Sequence, residues 1–201
     1  MAGQLSIAVG VVTALMLVFI ALFFTVGQPW GSLNDASIAL EAILSAVLAW
    51  VFYPSLRAWS PRWSAFGLFA AVLGALIVTA GSALVISGAA DYVAASHYMN
   101  FGYGWVGLWL LTLSYLACQR AIWPPRLIQF GLVMGAVMAF GLMSGFGILY
   151  GIDAQDTQPW FVIVGGLSSL GWAILYPIWA IWLGRALLSA KSFTSQQEKP
   201  T

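Results

Sequence analysis

Apolar residues run almost unbroken through this chain, and polar ones gather at short intervals between the runs. "LSIAVGVVTALMLVFIALFFTVG" holds no charged residue; polar positions around "QPWGSLND" follow, and a second apolar stretch begins. Six such segments stand out, at roughly 5–27, 36–53, 64–90, 101–116, 127–150 and 161–188, the fourth being the shortest. A hydrocarbon core about 30 Å thick takes roughly 20 apolar helical residues at 1.5 Å each. The runs lack the two-residue alternation of membrane β-barrel strands. The pattern predicts an all-α integral membrane protein: a compact bundle of six transmembrane helices over residues 1–188, with sequential helices antiparallel because the connections are short. Residues 189–201 read as a polar cytoplasmic tail without fixed structure. The first segment has no basic residue ahead of it and is read as a retained span, not a signal peptide.

Composition removes the soluble alternative. The chain is 62% hydrophobic and 6% charged, too few charges to cover a water-facing surface. The net charge of +1 matters less than its distribution. Arg57 and Arg62 bracket the second connection, and Arg120 and Arg126 the fourth; Arg185, Lys191 and Lys199 close the sixth segment or follow it. All seven basic residues therefore fall at one end of the bundle, which the positive-inside rule makes cytoplasmic, together with both termini. Asp35, Asp91, Asp153 and Asp156 lie in or beside the opposite connections. Trp30, Tyr92, Tyr98, Tyr150 and Trp160 mark the outer interface, and Trp59, Trp63 and Trp123 the inner one. The expected location is a bacterial inner (plasma) membrane, multi-pass, with basic loops in the cytoplasm. Its expected partners are the lipid bilayer and either further copies of the chain or a larger membrane complex. Scattered single basic residues exclude a nucleic-acid patch.

Glycines dominate the packing signal. Gly67, Gly74, Gly81 and Gly88 recur every seven residues, and Gly131 with Gly135 and Gly141 with Gly145 form GxxxG pairs. Small residues let membrane helices approach closely, so these positions predict bundle packing or a self-association seam. Pro177 predicts a kink in the sixth span. Gln28-Pro29-Trp30 and Gln158-Pro159-Trp160 repeat a turn, but three residues are too few to establish duplication.

Polar residues inside the spans carry the candidate chemistry. Asn34, Ser37, Glu41 and Ser45 lie within about 80° of one another on a helical wheel, with apolar Leu48 and Phe52 below them. That stripe predicts the wall of an outward-facing pocket. Ser32 and Asp35 fit an S-x-x-D capping box. No cap explains Glu41: a carboxylate there must be protonated, paired or hydrated, because a bare charge at mid-membrane costs about 3 kcal/mol or more. It is either a neutral acid bonded to a neighbouring helix or a site for a proton, cation or solute. In the third connection, Asp91 and His97 are close enough in sequence to meet across a short turn and share a proton or bind a metal near the pocket entrance, although a lone loop histidine also suits a surface or an interface.

One His and one Cys, Cys118, supply no metal site, and no cofactor is specified. The spans contain no lysine for a retinal Schiff base, and no H-E-x-x-H, Walker, dinucleotide or G-x-S-x-G pattern is present. Three functions stay open. The first is a membrane protein binding or translocating a proton, cation or small solute through Glu41, Asn34, Ser37, Ser45, Asp91 and His97. The second is a non-catalytic accessory subunit, and the third an intramembrane enzyme for lipid-like substrates.

Overall fold

The computed structural model describes residues 1–153 and 158–197, with side chains to residue 189. Asp156, Glu198 and Lys199, and the end of the expected tail, lie outside the described residues. The chain forms six helical spans, each long and apolar enough to cross a membrane. They are α1 (Ala2–Val26), α2 (Trp30–Trp59), α3 (Pro61–Ile86), α4 (Tyr92–Arg120), a fifth span of α5 (Pro125–Ala139) and α6 (Gly145–Tyr150), and a sixth of α7 (Pro159–Ser169) and α8 (Tyr176–Gln197).

Local chemistry sets the helix ends. Gly27 and Gly88 turn the chain at φ 93° and 70°, where a side chain would be strained. Pro61, Pro125 and Pro159 sit at the first helical positions, where a missing N–H costs nothing. Asp91 caps α4 by accepting from the Ala94 N–H at 2.7 Å. The expected capping box at Ser32 is not formed. Helix α2 begins two residues earlier, at Trp30, and the Ser32 N–H donates to the Gln28 side chain instead. Asp35 is therefore inside the helix and buried, where it accepts from Asn34 Nδ2 at 3.2 Å.

The expectation that the fourth span is shortest is overturned, since α4 runs 29 residues and is buried along most of its length. Its first turns carry Ser96, His97 and Asn100, which lower the local hydropathy. Those groups face protein, and a helix surrounded by protein does not require an apolar surface. His97 thus lies in a helix and not in a loop.

Glycine seams hold α4 on two sides. A Cβ on Gly74 would fall 2.6 Å from the Gly102 carbonyl oxygen, and one on Gly81 would lie 2.9 Å from Tyr98. From the fifth span, Gly135 meets the Gly107 carbonyl, Gly141 the Asn100 carbonyl, and Gly145 the Phe101 ring. Gly67, near Thr112, and Gly131, near Ser114, complete the two faces. Gly88 leaves the expected seam, because α3 ends at Ile86 and Gly88 serves the turn. A third close approach, not singled out in the sequence, joins α8 to α1, where a Cβ on Gly184 would fall 2.6 Å from the Gly3 carbonyl oxygen.

Both late spans depart from α geometry. A 3₁₀ turn at Phe140–Ser144 joins α5 to α6, and a π turn at Leu170–Leu175 joins α7 to α8. The π turn directly precedes Pro177, whose ring and missing N–H disrupt the α ladder there. It places Trp172 within the widened turn and Tyr176 just beyond it, both facing inward.

Candidate functional site

Glu41 lies eleven residues past Trp30, about 16 Å along α2 at 1.5 Å per residue. Its side chain is fully buried. Ser45, one turn below, donates to Glu41 Oε1 at 2.7 Å. From α4, the Tyr103 hydroxyl donates to Glu41 Oε2 and also reaches the Ile38 carbonyl at 3.3 Å. From α8, the Tyr176 hydroxyl stands 2.7 Å from Ser45 Oγ. Three helices therefore contribute one carboxyl and three hydroxyl groups, all with no exposed surface.

Proton counting shows what this cluster can do. An ionised Glu41 accepts from Tyr103 and Ser45, while Tyr176 donates to Ser45. A neutral Glu41 has one proton more to place. It donates to Tyr103, whose own proton turns to the Ile38 carbonyl. Each state finds an acceptor for every proton without moving the backbone, which suits a group that gains and loses a proton inside the bundle. The cluster offers a metal ion a single carboxylate, each oxygen of which already accepts from a hydroxyl. Among the described residues, no group of three His, Cys, Asp or Glu side chains is placed to hold one.

A half-enclosed cavity of about 230 Å³ lies towards the Asp91 end of the bundle, between α4 and α7. His97, Asn100, Phe161, Gly165, Gly166 and Trp172 define its character. Asn100 is held firmly, since its Oδ1 accepts from Trp172 Nε1 at 3.1 Å and from Ser169 Oγ at 3.3 Å. Indole N–H is a donor only, so the atom facing it must be the amide oxygen. His97 packs edge-on against Phe161, with ring centroids 5.3 Å apart, and its ring covers Gly147. Its buried Nε2 has no hydrogen-bond partner. Trp172 joins cavity and cluster: one face of its ring stacks on Tyr103, and the residue lines the cavity.

The structure divides the sequence-derived candidates. Glu41 and Ser45 are bonded to each other; His97 lines the cavity one layer above. Asn34 is buried but bonds to Asp35, and Ser37 returns its hydroxyl to the Leu33 carbonyl at 2.8 Å. Asp91 spends a carboxylate oxygen on the α4 cap. Tyr103, Tyr176, Trp172 and Asn100 were not among the site residues drawn from the sequence. Two of them carried a usable signal: Tyr103 and Tyr176 sit in the interior of their spans, away from the interfaces where membrane tyrosines concentrate. Comparison with protein-family models, curated proteins and solved structures finds no match for this chain.

Proposed function

We propose that this protein is a multi-pass membrane protein that binds or moves a small solute together with a proton, with Glu41 as the proton-carrying group. The observation that supports this most is the Glu41 cluster itself. A carboxyl group buried at mid-span, bonded to Ser45 of its own helix and Tyr103 of α4, with Tyr176 of α8 behind Ser45, has hydrogen-bond partners in both charge states. No Lys or Arg occurs in residues 1–56, 63–119 or 127–184, so a permanent ion pair is not what keeps the carboxyl there. The hydroxyl-lined carboxyl favours a proton over a metal cation. The arginines at the other end of the bundle support an outward-facing cavity by the positive-inside rule.

Proteoliposomes carrying an imposed membrane potential and an internal pH dye test the reading. Wild-type protein is expected to pass protons above the empty-vesicle rate, and Glu41→Gln to lower that excess at least tenfold. Equal fluxes for the two proteins would remove Glu41 from any proton pathway.

A further inference from the structure

Two glycines in α7 behave unlike the other helical glycines of the described residues. Those others each have a neighbour within 3.3 Å of the position a Cβ would take, so packing accounts for them. A Cβ on Gly166 would have nothing within 4 Å, and one on Gly165 would meet only Asn100 Nδ2 at 3.4 Å. Helical glycine is unfavourable unless something must come close to the backbone. No helix does so here, and both residues line the cavity together with His97 and Asn100.

The polar groups of the same cavity are presented in one way. Asn100 Oδ1 is occupied by Trp172 and Ser169, which leaves the Nδ2 side of the amide turned towards Gly165. His97 is 5% exposed, lines the cavity, and has a buried Nε2 without a protein partner. Phe161 and Trp172 supply flat aromatic walls. Among the described residues no Asp, Glu, Lys or Arg lines the space, so nothing there neutralises a charged guest. The volume is about 230 Å³, and an apolar cavity of roughly 150 Å³ accommodates benzene.

We propose that this cavity binds a small, neutral, planar molecule with a hydrogen-bond donor next to an acceptor, of the aromatic carboxamide type. The ring lies on the bare backbone of Gly165 and Gly166 between Phe161 and Trp172. The acceptor takes the Asn100 amide N–H, and the donor pairs with His97 Nε2. The inference rests on the preceding reading in that it names the class of solute, but the binding itself does not depend on Glu41, which lies outside the cavity lining.

Three probes of one shape separate the possibilities: radiolabelled benzamide, benzoate and benzamidinium, measured against the whole protein in lipid nanodiscs. Benzamide is expected to bind saturably and at least tenfold more tightly than either charged analogue. A Cβ on Gly166 has no protein neighbour within 4 Å, so Gly166→Val, whose branch extends into the cavity, is expected to keep the wild-type thermal transition and lose benzamide binding. Gly166→Ala is expected to weaken binding to an intermediate degree. His97→Phe keeps the ring and removes the nitrogen, and is expected to lose a further tenfold. The proposal is overturned if benzamide does not saturate, if the charged probes bind equally well, or if Gly166→Val and Gly166→Ala bind as wild type. It is also overturned if raising the phospholipid content of the disc displaces benzamide competitively, which would make an acyl chain the occupant. Saturable benzamide binding with no Glu41-dependent proton flux would leave this inference standing and remove the proton-linked reading.

Discussion

Tyr103 and Trp172 stack face to face, with ring centroids 4.5 Å apart and planes 7° from parallel. The pair lies at the boundary between two sites. Trp172 lines the cavity and donates to Asn100, while the Tyr103 hydroxyl bonds Glu41. The indole on the cavity side and the phenol that holds the carboxyl are thus in direct contact, and stacked rings in a packed interior have little freedom to move separately.

Tyr103→Phe keeps the stack and removes the hydroxyl that donates to Glu41. Loss of a hydrogen bond at a buried carboxyl is expected to destabilise the protein by about 1–3 kcal/mol. Paired with Glu41→Gln in a double-mutant cycle, the two changes are expected to be coupled by roughly 0.5–3 kcal/mol. Unfolding of the four proteins in detergent measures it, and additive effects would mean the bond contributes nothing.

Trp172→Phe tests the other half of the relationship. A phenyl ring still stacks on Tyr103, but Asn100 loses its donor at 3.1 Å and the amide is no longer held in one orientation. At about 1 kcal/mol for such a bond, benzamide affinity is expected to fall around fivefold. Thermal stability should change by a similarly small amount, and unchanged affinity would show that the indole N–H does not orient Asn100.

The glycines divide into two classes with opposite predicted behaviour. Gly74→Ala forces a methyl group to within 2.6 Å of the Gly102 carbonyl, which must push α3 away from α4. Overpacking of this kind is expected to cost about 1–3 kcal/mol. Gly166→Ala meets no neighbour and replaces a poor helix former, so it is expected to be neutral or to stabilise by up to about 1 kcal/mol. Melting temperatures of the two variants in the same detergent give the comparison, and similar losses in both would refute it.

Asp91→Ala removes the acceptor for the Ala94 N–H at the start of α4 and is expected to cost about 1 kcal/mol. Asp91→Ser should restore most of it, since a serine oxygen caps a helix nearly as well. If Asp91→Ser were as unstable as Asp91→Ala, the cap would not be what holds that end of the helix.

The six spans were legible from single stretches of chain, because crossing a membrane demands a length of apolar helix that each segment either has or lacks. The same reasoning failed at the start of α4, where Ser96, His97 and Asn100 look like a loop to any window of hydropathy. They are helical because α3, the fifth span and α7 surround them, and a surrounded helix is free to carry polar groups. It failed again at Gly88, where a seven-residue rhythm outran the helix that carried it.

At Glu41, sequence alone determined that a carboxyl group sits inside an apolar helix with Ser45 one turn away, a relationship internal to α2. Only the tertiary structure decided that its other partners are hydroxyls, and which ones. Tyr103 lies 62 residues from Glu41 along the chain, and Tyr176 lies 131 residues from Ser45. Their meeting depends on how far each helix is rotated about its axis. For α4 that rotation follows from the glycine contacts on its two sides, and for the sixth span from the π turn ahead of Pro177. Neither is a property of one segment, so the partners of Glu41 exist only once the helices are packed.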